Sequence, residues 1–151
     1  MAEKARLSFN QITLGKWSVT QAVEGCVRHG IPSIALWRHK IAETGLACSV
    51  RLVQDAGLHV SSVCRGGMFP SPTHAGREKS LEDNYRAVDE AAALQADSLV
   101  LVVGATPQVP IADARKMVAD GVAALVPYAR ERGVLLIPGM EAMASVFDCP
   151  D

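Results

Sequence analysis

The sequence predicts an α/β protein built as a run of parallel β/α units, and two observations carry that prediction. Four times an amphipathic, alanine-rich helical pattern closes on a small residue and passes at once into a short apolar run: "RHGIPSIALW", "DAGLHVSSVC", "LQADSLVLVV" and "ERGVLLIPG". These runs are apolar on both faces, as parallel strands covered by helices should be.

Each element has a local reason. "RLSFNQIT" predicts a first strand over 6–13, ahead of a helix over 18–29. Strands at 32–37, 58–64, 98–103 and 134–138 then alternate with helices at 43–56, 79–95 and 111–132. Gly30, Gly57 and Gly133 suit the left-handed position that ends a helix, where a side chain would cost energy. Ser80 with Asp83 reads as a helix start, a capping side chain followed by an early acid. The crossovers are long enough for right-handed βαβ units.

Composition narrows the function. With 151 residues, 49% of them apolar, the chain is long enough for one well-cored domain. No run of about 18 apolar residues is present to span a bilayer, and "MAEKARLSFNQ" has no apolar stretch of signal-peptide length, so a cytoplasmic protein is expected. A net charge of −1 without a basic stripe argues against a nucleic-acid partner. Cys26, Cys48, Cys64 and Cys149 form no CxxC pair, which suggests reduced, mostly buried thiols.

Neither GxGxxG nor GxxxxGK[ST] occurs, so a nucleotide-binding doubly wound sheet is not announced. Polar groups gather instead at predicted strand ends: Asn10 and Gln11, then Trp37, Arg38 and His39, then Cys64, Arg65 and Gly66, then Gly104. A (β/α)8 barrel distributes its chemistry in this way.

Each of these residues has a functional and a structural reading. Arg65 suits a bidentate grip on a carboxylate, phosphate or enediolate oxygen, or a salt bridge capping the sheet. Gly66 and Gly67 let the backbone turn and approach a ligand, or form a plain loop. Trp37 is a pocket wall for a sugar face, or core. Asn10 points an amide at a ligand hydroxyl, or satisfies its own strand end. Cys64 reads more readily as a strand thiol than as a nucleophile, His39 as the start of a helix, and His29 as a cation favoured by a helix C-terminus. His74 sits in a Pro/Ser/Gly stretch without a visible partner.

The segments "LSFNQITL", "WSVTQAVEGCVRHGIPSIALWRHKI", "LVQDAGLHVSSVCRGGMFP", "NYRAVDEAAALQADSLVLVVG" and "VADGVAALVPYARERGVLL" resemble the sugar phosphate isomerase/epimerase family of xylose isomerase-like TIM barrels. The resemblance runs from residue 7 to about 137, and "CRGGMF" is its most specific part. It implies a barrel that moves a proton next to a sugar carbonyl with a divalent metal, manganese, magnesium or cobalt. A full barrel takes about 250 residues, so this length corresponds to about four and a half units, an apparently truncated half-barrel.

The resemblance also locates a departure. The family carries a pattern like "IEPxHPM" after its fifth strand, with the glutamate as metal ligand and proton-transfer base. Here the chain reads "LIPGMEAMASVFDCPD". Pro138 stands in the glutamate's place and Glu141 in the histidine's, so Glu141 is the candidate base and metal ligand, with Asp148 the other nearby carboxylate. Residues 1–137 are thus expected to form the N-terminal part of the barrel, and 138–151 a divergent tail. Two functions follow from the resemblance. One is an isomerase or epimerase acting on a sugar or sugar acid, with Arg65 orienting the substrate. The other is a non-catalytic half-barrel, a small-molecule-binding or assembly module, and open strand edges make a homo-oligomer the expected state.

Overall fold

A computed structural model describes residues 4–104 and 108–139 of the chain. Among them five strands, β1 (Ser8–Asn10), β2 (Ser33–Trp37), β3 (His59–Gly67), β4 (Ser98–Val102) and β5 (Leu135–Gly139), form one sheet in sequential order. Every neighbouring pair is parallel. Helices α1 (Val19–His29), α2 (Arg38–Thr44), α3 (Leu46–Asp55), α4 (His74–Ala93) and α5 (Ile111–Glu131) fill the crossovers. This is the expected α/β alternation, a partial TIM-barrel-like fold.

The helix ends follow their local chemistry. Ser18 caps α1 through a capping box: its hydroxyl accepts from the Gln21 N–H while the Gln21 side chain accepts from the Ser18 N–H. Gly30, Gly57 and Gly133 take φ of 63°, 63° and 69°, the left-handed conformation expected of them. Within α1, Val19, Ala22, Val23 and Cys26 recur at helical spacing and bury themselves against the sheet. Ile34 and Leu36 of β2, Val63 of β3 and Leu99 and Leu101 of β4 supply the sheet's share of that core.

The opposite face of the sheet is different. The Ser8 and Ser61 hydroxyls meet at 2.6 Å, joining β1 to β3 across β2. At the far edge Leu136 packs on the core, so its neighbours Leu135 and Ile137 point away from it and stand 66% and 46% exposed.

Several expected boundaries are corrected. The first strand spans only Ser8–Asn10, because a 3-10 turn precedes it at Lys4–Arg6 and another follows at Gln11–Leu14. In the latter, the Asn10 side chain accepts from the Ile12 N–H and curls the chain out of the sheet. The helix expected over 43–56 is two helices broken at Gly45, whose φ of 88° no helix accommodates. The third strand extends to Gly67, so "CRGG" lies inside it.

The largest correction concerns α4, which begins at His74 rather than near Ser80. Thr73 is the cap, its hydroxyl accepting from the Gly76 N–H. Gly76 permits this start, since a Cβ there would lie 2.1 Å from Ser71 Oγ and 2.9 Å from Thr73 Oγ1. Ser80 lies within the helix, donating its hydroxyl to the Gly67 and Met68 carbonyls. At the other end, β5 carries Pro138 opposite Leu101, and Pro suits an edge strand. Residues 140–151 of the expected tail, Glu141 among them, lie outside the described residues.

Asn84 of α4 is 1% exposed and joins helix to sheet. Its Oδ1 accepts from the Gly67 N–H at 2.6 Å, and its Nδ2 donates to the Gly67 and Ser80 carbonyls at 2.7 and 2.8 Å. Replacing it by Ala strands buried backbone groups, so Asn84→Ala should lower unfolding free energy by about 3 kcal/mol. Urea unfolding at equilibrium measures this, and a loss below about 0.5 kcal/mol would show that water replaces the clamp.

Candidate functional site

At the carboxyl ends of β2 and β3 an open cavity of about 800 Å³ is lined by Trp37, Arg38, Cys64, Arg65 and Gly66, with Lys79 and Asp83 facing them from α4. Its α4 wall follows from helical spacing, since Gly76, Lys79, Ser80 and Asp83 fall on one side of that helix.

Arg38, the first residue of α2, is tied down completely. It donates Nε to Glu90 Oε2 at 2.6 Å, Nη2 to Glu90 Oε1 at 3.1 Å, Nη1 to Asp83 Oδ2 at 2.8 Å and Nη2 to Asp83 Oδ1 at 3.1 Å. A further Nη1 contact reaches the Arg65 carbonyl at 3.4 Å. Every N–H of the guanidinium is then used, so Arg38 offers a ligand an apolar stem and no donor. Burial opposes its charge, but hydrogen bonds to Glu90 and Asp83 outweigh that and raise its pKa. The hydrogen bond from Arg38 holds the Asp83 carboxyl below its usual range, against the opposing effect of burial.

Arg65 is placed by an irregularity. The β3–β4 register pairs Cys64 with Val100 and Gly66 with Leu101, leaving Arg65 bulged out of the ladder. Bulges re-aim side chains beside functional sites. The Arg65 side chain is exposed and makes no hydrogen bond or ion pair with a described residue.

Gly66 and Gly67 have packing reasons of their own. A Cβ on Gly66 would lie 2.7 Å from Asn84 Oδ1, and one on Gly67 would lie 2.0 Å from the Val102 carbonyl oxygen. Gly67 also has a φ of 99°. The backbone of both still forms cavity wall.

Trp37 is held from below. Its indole N–H donates to Asn10 Oδ1 at 2.9 Å, its backbone N–H donates to Gln11 Oε1 at 3.1 Å, and its ring meets His39 edge-to-face at 5.9 Å. Asn10 thus joins the site through the indole and does not line the cavity. Gln11 is fully buried, and its Nε2 has no hydrogen-bond partner among the described residues. Gly104, with a φ of 78°, packs against Met68, whose Cα a Cβ there would approach to 3.0 Å.

The structure therefore brings Trp37, Arg38, Cys64, Arg65 and Gly66 to one wall and attaches Asn10 and Gly104 behind it. Sequence reasoning missed Lys79, Asn84 and Glu90; the helical spacing from Gly76 was the available signal, hidden by reading Gly76 as loop. His74 pairs with Glu78 at 3.3 Å on the exposed side of α4, outside this cavity. Cys26, Cys48 and Cys64 form no disulfide.

A divalent metal finds no set of donors here. Among the described residues no group of three His, Cys, Asp or Glu side chains could hold one. Asp83, the cavity's carboxylate, is committed to Arg38. Glu141 is not among the described residues.

The family described as "Xylose isomerase-like TIM barrel" matches residues 23–150. No curated protein matches the chain. Among solved structures, a protein of Sinorhizobium meliloti 1021 is 45% identical with a TM-score of 0.86, over 90% of this chain and 50% of that one. The IOLI protein, solved with a bound zinc atom, is 17% identical with a TM-score of 0.74, over 87% of this chain and 50% of its own. D-allulose 3-epimerase from Methylomonas sp., in complex with D-allulose, is 18% identical with a TM-score of 0.69, over 87% of this chain and 49% of its own. The chain thus spans about half the length of these proteins.

The acid response of the Arg38 cluster is predictable. A lowered folded pKa means that Asp83 stabilises the fold fully above the unfolded Asp value of about 3.9, and that this contribution is lost as pH falls through the lower folded value. Asp83→Asn should therefore flatten the acid limb of the melting profile below about pH 4. Because the Asp83 side chain is 44% exposed, the effect should stay under about 1 kcal/mol. Thermal melts across that range test it, and an unchanged acid limb would assign acid unfolding to other carboxylates.

Proposed function

The chain belongs to the xylose isomerase-like TIM barrel family, and on that premise we propose that it supplies the substrate-binding wall of a sugar isomerase or epimerase site. The observation that carries this is the cavity at the carboxyl ends of β2 and β3, where barrel enzymes of this architecture place their chemistry. Trp37 offers an indole surface for the apolar face of a sugar ring, and Arg65 offers a donor fork for its oxygens. The reaction to which such a wall contributes is proton transfer at the carbon next to a carbonyl; Glu141 is this chain's candidate base, while Pro138 in the family glutamate's place argues against turnover by the chain alone. D-allulose in the Methylomonas neighbour and zinc in the IOLI protein support a polyhydroxylated ligand and a divalent metal, with manganese, magnesium and cobalt the ions to supply. A cytoplasmic setting belongs to the same reading. Among the described residues Cys26, Cys48 and Cys64 form no disulfide, and no described helix is long and apolar enough to cross a membrane.

Amide chemical shifts of the labelled 151-residue chain, titrated with ketoses and sugar acids, test the binding wall. Shifts should concentrate at Trp37, at Arg65 to Met68 and at Ser80; a ligand that binds without moving them, or no binding across the panel, would remove the cavity from the function. Pro138 occupies the family glutamate's place and the chain spans about half the length of its solved neighbours, so the same chain should exchange no substrate α-proton in deuterated water with added metal. Metal-dependent exchange abolished by Glu141→Gln would overturn that expectation and make Glu141 the relocated base.

One observation favours the assembly reading beside it. Leu135 and Ile137 present apolar side chains on the helix-free face of the edge strand β5, where another strand or sheet face would bury them. We propose a homo-oligomer joined through this face. Light scattering coupled to size exclusion should then show at least a dimer at micromolar concentration, with Leu135→Lys shifting it toward monomer. A monodisperse 16.0 kDa species for the unaltered chain would exclude this assembly.

A further inference from the structure

We propose that Asn10 is a positioning residue for the binding wall: its side-chain oxygen holds the Trp37 indole by the N–H, so a ligand meets that ring as a fixed apolar surface and not as a hydrogen-bond donor. The inference rests on the sugar-binding reading for the use of the wall, and adds what sets the ring's orientation and selectivity.

The ladder between β1 and β2 ends at Asn10 opposite Ala35, two residues short of Trp37. The chain turns out of the sheet there, and side chains take over from the ladder. Gln11, fully buried, accepts the Trp37 backbone N–H at 3.1 Å as a strand carbonyl would. One residue earlier, Asn10 Oδ1 accepts the indole N–H at 2.9 Å. Consecutive amides thus grip the same tryptophan at its root and at its tip.

The oxygen of Asn10 serves a second donor as well. It accepts from the Ile12 N–H at 3.3 Å, the bond that caps the 3-10 turn Gln11–Leu14. A carbonyl oxygen has two lone pairs, and both are then engaged. The turn that ends β1 and the ring that walls the cavity are therefore held to one acceptor and keep one relative position. His39 closes on the ring edge-to-face, with centroids 5.9 Å apart and planes at 73°.

With its N–H spent, the indole presents π surface, whose negative face attracts C–H groups. The neighbouring Arg38 guanidinium is spent in the same way on Asp83 and Glu90. Trp37 and Arg38 together therefore favour the carbon-bound hydrogens of a ligand over its hydroxyls. A ring already held in place also loses less freedom when a ligand packs on it.

Hydrogen exchange between the indole N–H and water, read by NMR on the labelled chain without ligand, tests the clamp. The chain has two tryptophans, Trp17 and Trp37, and Trp17→Phe tells their indole signals apart. Asn10→Ala should speed exchange of the Trp37 indole N–H about fivefold or more. Asn10→Asp, which keeps the acceptor, should restore slow exchange. Asn10 is exposed, so both variants should stay folded, with distant amide signals in place. Faster exchange at Ile12 with the indole unchanged would overturn the proposal and make Asn10 a turn cap only. Unaltered exchange at both, or an indole freed equally in Asn10→Ala and Asn10→Asp, would overturn it too. D-allulose, bound by the Methylomonas neighbour, then reads the effect on binding: its affinity for Asn10→Ala should be about threefold to tenfold weaker than for the unaltered chain or Asn10→Asp. Equal affinity in Asn10→Ala would overturn the role in binding. The two readings fail separately. D-allulose that binds none of the three chains counts against the sugar reading while the exchange rates still decide the clamp, and binding without any change in indole exchange does the reverse.

Discussion

The side-chain amide of Asn84 faces the peptide unit of Gly67 and satisfies both its N–H and its carbonyl, and the geometry of the whole strand-end region hangs on that contact. A buried amide that answers donor with acceptor and acceptor with donor permits a narrow range of separations between β3 and α4. At that separation only glycine fits at 66 and 67, because Asn84 occupies the space of one Cβ and Val102 that of the other. With the strand drawn onto the helix, Ser80 reaches the Gly67 and Met68 carbonyls. The side of α4 that carries Gly76, Lys79 and Asp83 is then brought over the strand end.

A second fixed point lies across the cavity. Arg38 spans from the start of α2 to two carboxylates on α4, seven residues apart and so on one side of the helix. Holding two acids on one guanidinium in a half-buried setting is electrostatically sound because each carboxylate accepts two hydrogen bonds in a fork. The polar network of this site is thus mostly architectural. It consumes Asp83 and Glu90 and leaves Arg65 and Lys79, which pair with no described residue, among the groups that line the cavity.

How much of this was legible in the sequence depends on the range over which each signal acts. The β/α alternation was readable because apolar runs and helix-ending glycines are local: Gly30, Gly57 and Gly133 take the conformations their neighbours imply. The start of α4 was not. Gly76 and the two prolines before it read as loop, and only the contact of Thr73 and Ser71 around a missing Cβ shows that the helix begins there. For the same reason "CRGG" read as a turn toward a ligand, whereas its glycines answer to Asn84 and Val102, residues distant in sequence. Strand-end position drew attention to Trp37 and Arg65, which line the cavity, but it could not separate Arg65 from Arg38. That distinction lies in where Glu90 falls on a helix fifty-two residues away. Glu141, the residue on which the catalytic expectation rests, lies beyond the described part of β5.

The bulge at Arg65 has a consequence for how such a chain can change. A residue inside a ladder serves two functions at once, pairing and presentation, and alterations that suit one commonly harm the other. Arg65 is excused from pairing with β4, while its neighbours Cys64 and Gly66 keep theirs. Arg65 is also exposed and lines the cavity. The side chain at this position is therefore free to change under mutation while the scaffold stays intact, so a single-codon change alters the cavity wall without a compensating change elsewhere.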